Sequence, residues 1–407
     1  MRLTIINQFY RPDISPTAQL CGSLGEDRAQ RGDTVTVIAS QGGYTGERER
    51  VRNDRDANPR VYRVWTPQLG KGSIVKRLID YAFFYLGAFL RAARLPRQDV
   101  IVCLTTPPFI AFAGWIHKVL HPKTKLVIWC MDCYPEVAER SGHCKPNGFV
   151  AKVMRFCNRF LFRRLDHLIG LDTAMVELLS AYNPRRRQVP ATVISNWEPA
   201  ERYPETLDPP PLAWLAEQGI AEKLIVLYSG NMGVGHEFDT ALDVAAKLQE
   251  SGEEEIVFVY NGKGGRRAYI EEQVAERGLR NVLVRDYVPL EELPSLLAGA
   301  SCALITLRDD MRGVMSPSKL HANLAMRLPV LYIGPQQTNV DDCLARFGCG
   351  LSLRQGQVDE ALAFLGQLAR DRAQLQALKA KARDAFDEAY CDAKAMPQFE
   401  VVFEQLR

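Results

Sequence analysis

Neither sign of charge dominates this 407-residue chain, in which 51 Lys and Arg stand against 48 Asp and Glu for a net +3. So even a balance argues against nucleic acid as a partner, and the local cluster Arg185, Arg186 and Arg187 is most simply a solvated turn. The opening MRLTIINQFY lacks a long apolar core before a small-residue cleavage site, so it reads as a first strand and not as a signal peptide. A cytoplasmic protein beginning at Met1 is expected. The chain has no low-complexity tract and no repeat of 20 to 50 residues, which excludes a solenoid. It also lacks paired cysteine spacing: ten scattered cysteines without a signal sequence suit reduced, mostly buried thiols. The sharpest exception is WCMDC, with Cys130 and Cys133 at C-x-x-C spacing and His143-Cys144 downstream. An adjacent His-Cys is poor ligand geometry for zinc, so small apolar residues at a strand end are the preferred reading over a metal site.

What is present is the composition of a globular protein, 47% hydrophobic and 24% charged. The length suggests two large domains. Apolar runs alternate with amphipathic stretches: LTII, TVTVIAS, DVIVCLTT, KLVIWCMD, HLIGLD and TVISN in the first half, LIVLYSG, IVFVYNG, VLVRDYV, CALITLR and PVLYIGP in the second. This α/β rhythm implies two Rossmann-like units, each with a parallel sheet. The proline-rich stretch around Pro209 to Pro211 is read as the interdomain linker, and Pro397 as a break in the final helix.

In such folds ligands bind at the carboxyl ends of strands, where helix N-termini offer free N–H groups to anions. After LIVLYSG comes GNMGVG, whose Gly230, Gly233 and Gly235 let the backbone approach a ligand closely. It is either a phosphate cradle or a flexible strand-to-helix turn. Its spacing is not that of the dinucleotide fingerprint, which disfavours a nicotinamide enzyme. Lys263 lies in a second Gly-rich turn, YNGKGG, in reach of a diphosphate or simply solvated. In SPSK, Ser316 is placed to cap a helix whose first turn holds Pro317, with Lys319 near the positive end of its dipole. A cation there makes sense if an anion sits beside it; otherwise it swings to solvent.

Taken in order, NQFYRPDISPTAQLCGSLGEDRAQRGDTVTVIAS, TTPPF, WCMDCYPEVAERSG, VISNW, YSGNMG, RDYVPLEELPSLLAGASCALITL and SPSKLHANLAMRLPVLYIGP resemble the retaining GT-B glycosyltransferases of family 4. The resemblance is strongest to the bacterial branch that builds capsules, O-antigens and exopolysaccharides, and it covers nearly the whole chain. It implies two Rossmann-like domains facing a central cleft and a C-terminal helix crossing back to the first. An acceptor-binding domain at 1–198, joined by 388–407, would accompany a donor-binding domain at 199–387. No metal or other cofactor is implied.

Residue by residue, the resemblance puts Gly230, Asn231 and Met232 against the donor diphosphate. The family's usual Arg and Lys are missing from that loop, so Lys263 and Lys319 must carry the positive charge. Asp286, Tyr287 and Val288 match the base-binding segment. The second Glu of the E-x7-E element falls on Ala322, so ribose contacts must come from elsewhere, such as Asn339 or Asp341. Ser316 and Ser318 belong to the Pro-Ser-Lys form that recurs in this branch. Ser15 and Thr17 lie before the first helix, where they meet donor phosphate or acceptor. Asp132 stands where many members carry a histidine, as a group that orients a sugar hydroxyl or stabilises charge on the ring, or else as a helix N-cap; no D-x-D accompanies it. The reaction so implied moves a hexose or N-acetylhexosamine from a UDP-sugar donor to a glycan or polyprenyl-diphosphate-linked sugar acceptor, with Asp132 and Lys319 as the catalytic pair. A nucleotide-sugar 2-epimerase of the same fold and a non-catalytic partner subunit are the alternatives.

Between Lys71 and Arg97, the basic residues Lys71, Lys76, Arg77, Arg91, Arg94 and Arg97 flank an apolar centre from Tyr81 to Leu90. Ten residues cannot cross a bilayer, which needs ~20. The segment is either a long core helix or an interfacial one on anionic lipid at the cytoplasmic face of the membrane.

Overall fold

Runs of Val, Ile and Leu buried at every position, such as VIVC at Val100–Cys103 and IVFVYN at Ile256–Asn261, can only be strands covered on both faces. The computed structural model describes residues 1–13, 15–42, 53–54, 56–69, 74–182 and 189–407. The Arg185–Arg187 cluster and Lys71 lie outside the described residues.

Two compact units form, one from Met1–Ser195 with Ala395–Arg407, the other from Asn196–Lys394. The first contains β1 (Arg2–Ile6), α1 (Pro16–Gln30), β2 (Thr34–Ser40), β3 (Arg60–Val64), α2 (Ile74–Arg94), β4 (Val100–Cys103), α3 (Ala111–Leu120) and β5 (Lys125–Trp129). It continues with α4 (Glu136–Arg140), α5 (Phe149–Phe162), β6 (His167–Gly170), α6 (Thr173–Ser180) and β7 (Ala191–Val193). All strands are parallel in the order β3-β2-β1-β4-β5-β6-β7. The chain steps outward one way from β1 and then the other way from β4. Right-handed crossovers therefore put α1 on one face of the sheet and α2, α3 and α5 on the other.

The second unit contains α7 (Ala213–Glu217), β8 (Leu224–Ser229), α8 (Asp239–Glu250), β9 (Ile256–Asn261), α9 (Arg267–Glu276), β10 (Val282–Arg285), α10 (Leu293–Ala298) and β11 (Cys302–Thr306). It ends with α11 (Lys319–Ala325), β12 (Val330–Ile333), α12 (Asn339–Phe347), β13 (Gly350–Leu353), α13 (Val358–Arg370) and α14 (Arg372–Ala385). Its six parallel strands run β10-β9-β8-β11-β12-β13, so the direction of winding reverses between β8 and β11. That reversal opens a crevice at the carboxyl ends of β8 and β11, where doubly wound folds bind ligands.

The last helix, α15 (Asp392–Leu406), belongs to the first unit from Ala395 onward. It runs through Pro397 without breaking, contrary to expectation. The interruption falls earlier, at Cys391, where the backbone is extended after a widened turn at Phe386–Tyr390. Arg28, only 2% exposed, fastens α15 to α1 by pairing with Asp33 and Glu400 and lying 5.3 Å from the Phe403 ring centroid. Phe399 adds an edge contact to Trp129 at 4.9 Å.

The expected linker is corrected. The chain passes between units at Ser195–Asn196, and the proline-rich stretch lies on the second unit, where Leu212 N–H bonds the Ser295 carbonyl (3.2 Å). Three prolines in succession supply no N–H groups, so the segment straps α10 instead of joining a sheet.

Candidate active site

In the second unit the loops after β8 and β9 are laced together by backbone. Gly230 N–H donates to Asn261 O (2.9 Å), Met232 N–H to Lys263 O (2.8 Å) and Arg266 N–H to Met232 O (2.9 Å). The approach is close enough that a Cβ on Gly262 or Gly264 would strike the carbonyls of Gly230 and Met232. Gly230 itself has φ +141°, a conformation glycine alone adopts without strain.

Across this loop lies Lys319. Its Nζ sits 3.2 Å from His236 Nε2 and 4.7 Å from the centroid of the Tyr228 ring. Among the described residues no carboxylate pairs with it. Loss of hydration therefore goes uncompensated and pulls its pKa down to about 7. His236 is buried, with Nδ1 2.6 Å from the Thr306 carbonyl, and burial with Lys319 nearby pushes it down to about 3. Neither His236 nor Tyr228 stood among the sequence-derived candidates. The legible signal was a histidine directly after G-x-G at a strand-to-helix turn.

Other candidates are placed differently from expectation. Helix α11 begins at Lys319, with Ser318 in the N-cap position and making no capping bond, so Ser316 does not cap it. The helix has only seven residues, and its dipole is a minor partner to the lysine. Met232 is fully buried with both backbone groups already bonded, which leaves nothing for a ligand to contact. Asn231 is exposed and remains at the loop surface. Lys263 forms an exposed ion pair with Asp286 (3.1 Å), which also binds Arg267; such pairs are weak enough to exchange for another anion. Tyr287 is exposed on the same loop, with Val288 half-buried behind it.

Asn339 is buried beneath the Ser-Pro-Ser turn, its Nδ2 3.5 Å from the Pro317 carbonyl and its Oδ1 unbonded among the described residues. It props the turn and does not face outward. Asp341 is committed to Ser352, Arg354 and the Gln337 N–H at 2.5 to 2.8 Å, and these partners hold its carboxyl below the usual range despite burial.

In the first unit Ser15 is the N-cap of α1, its Oγ accepting from Ala18 N–H (3.3 Å), while Thr17 is half-buried in the first turn. Asp132 follows β5, and its N–H bonds Thr105 Oγ1 (3.2 Å). It does not cap α4, whose N-cap position is Pro135. Burial raises its carboxyl to about 6. With Thr105, Phe109 and Tyr134 it lines a small pocket at the ends of β4 and β5. Phe109 holds a left-handed φ of +64°, the kind of backbone strain that concentrates at functional sites. Cys130 and Cys133 lie beside it, their sulfurs 3.8 Å apart and not joined by a disulfide. Among the described residues no group of three or more His, Cys, Asp or Glu is gathered as metal ligands would be.

Two doubly wound parallel sheets, with a glycine loop and Lys319 at one switch point, give the architecture of the GT-B glycosyltransferase fold, and residues 18–197 match the glycosyl transferase 4-like domain. The chain is 24% identical over 339 residues to WcaI of Escherichia coli (strain K12), named as a colanic acid biosynthesis glycosyl transferase, covering 80% of this chain and 81% of that one. Its fold is shared with a sucrose-phosphate synthase from Thermosynechococcus elongatus (TM-score 0.73, 14% identity, 100% and 99% covered). It is shared equally with Anabaena Alr3699/HepE in complex with UDP (TM-score 0.70, 13% identity, 100% of both chains). These likenesses favour glycosyl transfer over epimerisation or a non-catalytic role.

Proposed function

We propose that the protein transfers a hexose or N-acetylhexosamine from a UDP-sugar, with retention, to a glycan or polyprenyl-diphosphate-linked sugar during assembly of a cell-surface polysaccharide. One observation carries the donor half: the Lys319 ammonium held over the Gly230 loop with no carboxylate partner among the described residues. A desolvated cation without a counter-ion is a site for an anion, and the departing diphosphate of a nucleotide sugar is such an anion. The choice of UDP draws on HepE, solved with UDP and with UDP-glucose. Lys319 and loop N–H groups neutralise the leaving group, and a phosphate oxygen takes the acceptor proton, so no metal is needed. To Asp132 we assign, as a carboxylate, the orienting of a sugar hydroxyl. Incubating the protein with UDP-, GDP-, ADP- and dTDP-sugars in EDTA tests the reading. Slow release of free UDP supports it; a preference for GDP sinks the donor assignment, and an isomeric UDP-sugar sinks transfer.

The acceptor half places the protein at an anionic membrane surface. No helix among the described residues is long and apolar enough to cross a membrane. Helix α2 instead buries Phe84, Ala88 and Ala92 and exposes Val75, Leu78, Ile79, Phe83, Leu86 and Leu90, with Lys76 and Arg77 also exposed. Helix α5, in the same layer through the Phe112–Phe160 stack of α3 and α5 (5.7 Å), exposes Phe149, Val150, Val153 and Phe156 and carries no acidic residue. Apolar side chains rimmed by basic ones fit the interface of an anionic bilayer.

A further inference from the structure

We propose that His236 is the positioning residue of the donor site, its Nε2 lone pair holding the Lys319 ammonium over Gly230 to receive the donor diphosphate; this rests on the transferase reading above. The Thr306 carbonyl can only accept a hydrogen bond, so at 2.6 Å the Nδ1 of His236 carries the proton and donates. A neutral ring protonated at Nδ1 has its lone pair on Nε2, and Lys319 Nζ, which has only donors, lies 3.2 Å from it. The other tautomer would set acceptor against acceptor at Thr306 and donor against donor at Lys319, and the imidazolium would set cation against cation.

The ring is also held edge-on to Tyr228, with centroids 5.7 Å apart, while Tyr228 presents its own face to Lys319 and donates its hydroxyl to Asn231 O (2.7 Å). His236 and Tyr228 are thus the titratable groups facing the ammonium from β8 and its loop. On α11 itself His321 turns its Nδ1 to the Ser318 carbonyl (3.0 Å). Burial keeps Tyr228 and His236 neutral at working pH. Lys319 is therefore aimed by one neutral acceptor and one ring face, and its charge is left for the ligand. Because its pKa is drawn down to about 7, binding of a diphosphate draws a proton onto Lys319.

Removing the acceptor while keeping the bulk separates this role from packing. In His236→Phe, Lys319 loses its only hydrogen-bond acceptor among the described residues, and its titration should move lower by about one unit. His236→Gln supplies an amide oxygen and should restore most of the wild-type value. Lysine-labelled NMR on the ligand-free protein, with the Lys319 signal assigned by Lys319→Arg, reads the midpoint. Calorimetry with UDP from pH 6 to 9 reads affinity and proton uptake. The expected result is a His236→Phe midpoint below wild type, UDP affinity reduced roughly tenfold at pH 8, and recovery to within roughly threefold in His236→Gln. A His236→Phe protein that titrates and binds UDP as wild type does overturns the inference. His236→Met serves as a second acceptor-free replacement should the Phe variant not fold. If wild type binds no nucleotide, the donor reading falls, and the ligand-free titration still decides whether His236 holds Lys319.

Discussion

Lys319 and Gly230 share one space: a Cβ built on Gly230 would stand 2.6 Å from Lys319 Cε and 3.3 Å from its Cδ. The glycine is thus required twice, by its φ of +141° and by the side chain that crosses it. Gly230→Ala is expected to cost about 1–3 kcal/mol of stability from backbone strain and to displace the ammonium. Urea unfolding and donor kcat/KM should both fall; an active, equally stable variant would refute the packing.

Removing the lysine itself should act on chemistry and spare the fold. Lys319→Ala is expected to lower turnover by roughly 10² or more, the scale of one charge-stabilising group lost from a transition state. The stability effect has a definite sign. A lysine whose pKa falls from its ordinary value to about 7 on folding makes the folded state bind fewer protons than the unfolded chain between these values. Wild-type stability should therefore rise with pH across that window. Lys319→Met should be the more stable protein at pH 6, with the difference shrinking by pH 10, as paired urea titrations would show.

Legibility in the sequence follows from where each constraint arises. Strands buried on both faces, such as β5 and β11, announce themselves as unbroken apolar runs. The edge strands β3 (RVYRV) and β13 (GLSL) do not, since one is half charged and the other is four residues long with glycine and serine. Lys319 was visible because Ser-Pro-Ser-Lys is local. The geometry that gives it meaning comes from Tyr228 on β8 and His236 on the turn that follows, with His236 83 residues away, and no periodicity reports such a contact. The Ser316 cap failed because the helix it was to cap begins three residues later and its N-terminus is left without a side-chain bond. Asn339 and Asp341 looked available as polar residues after a strand, yet both are consumed in holding their own turn.

Asp132 makes a pH prediction. Burial raises its carboxyl to about 6, so if the ionised form serves the reacting sugar, turnover should fall as pH drops through that value. In Asp132→Asn the acid limb should vanish along with most of the activity. An acid limb of the same midpoint in the variant would assign it to another group.

Arg28 predicts how the last helix is retained. Its guanidinium is nearly buried between Asp33 and Glu400, and truncating one partner of a buried pair leaves the other charge uncompensated. Arg28→Ala is expected to destabilise the first unit by about 3–5 kcal/mol. Hydrogen exchange should show the loss first along Ala395–Leu406, and uniform exchange would argue against this anchor.

The membrane reading rests on side chains that nothing else in α2 explains. Val75, Leu78 and Leu86 are each more than half exposed, and Phe83 is exposed with its ring edge on Trp65 at 5.1 Å. Exposed apolar groups of this number need a cover, and the adjacent Lys76 and Arg77 favour an anionic one, with each basic residue near such a surface worth about 1 kcal/mol. Arg91 is a poor choice for the test, because its guanidinium lies 4.3 Å over the Tyr62 ring and its loss would disturb packing. Lys76→Gln with Arg77→Gln removes charge without touching the buried Phe84 face. The wild type should float with phosphatidylglycerol vesicles at low salt and lose that association as salt rises. The double variant should bind roughly thirtyfold more weakly, and Leu78→Ser with Leu86→Ser should not bind at any salt. A wild type that stays in the soluble fraction at low salt would end the membrane claim and point to an acceptor free in solution.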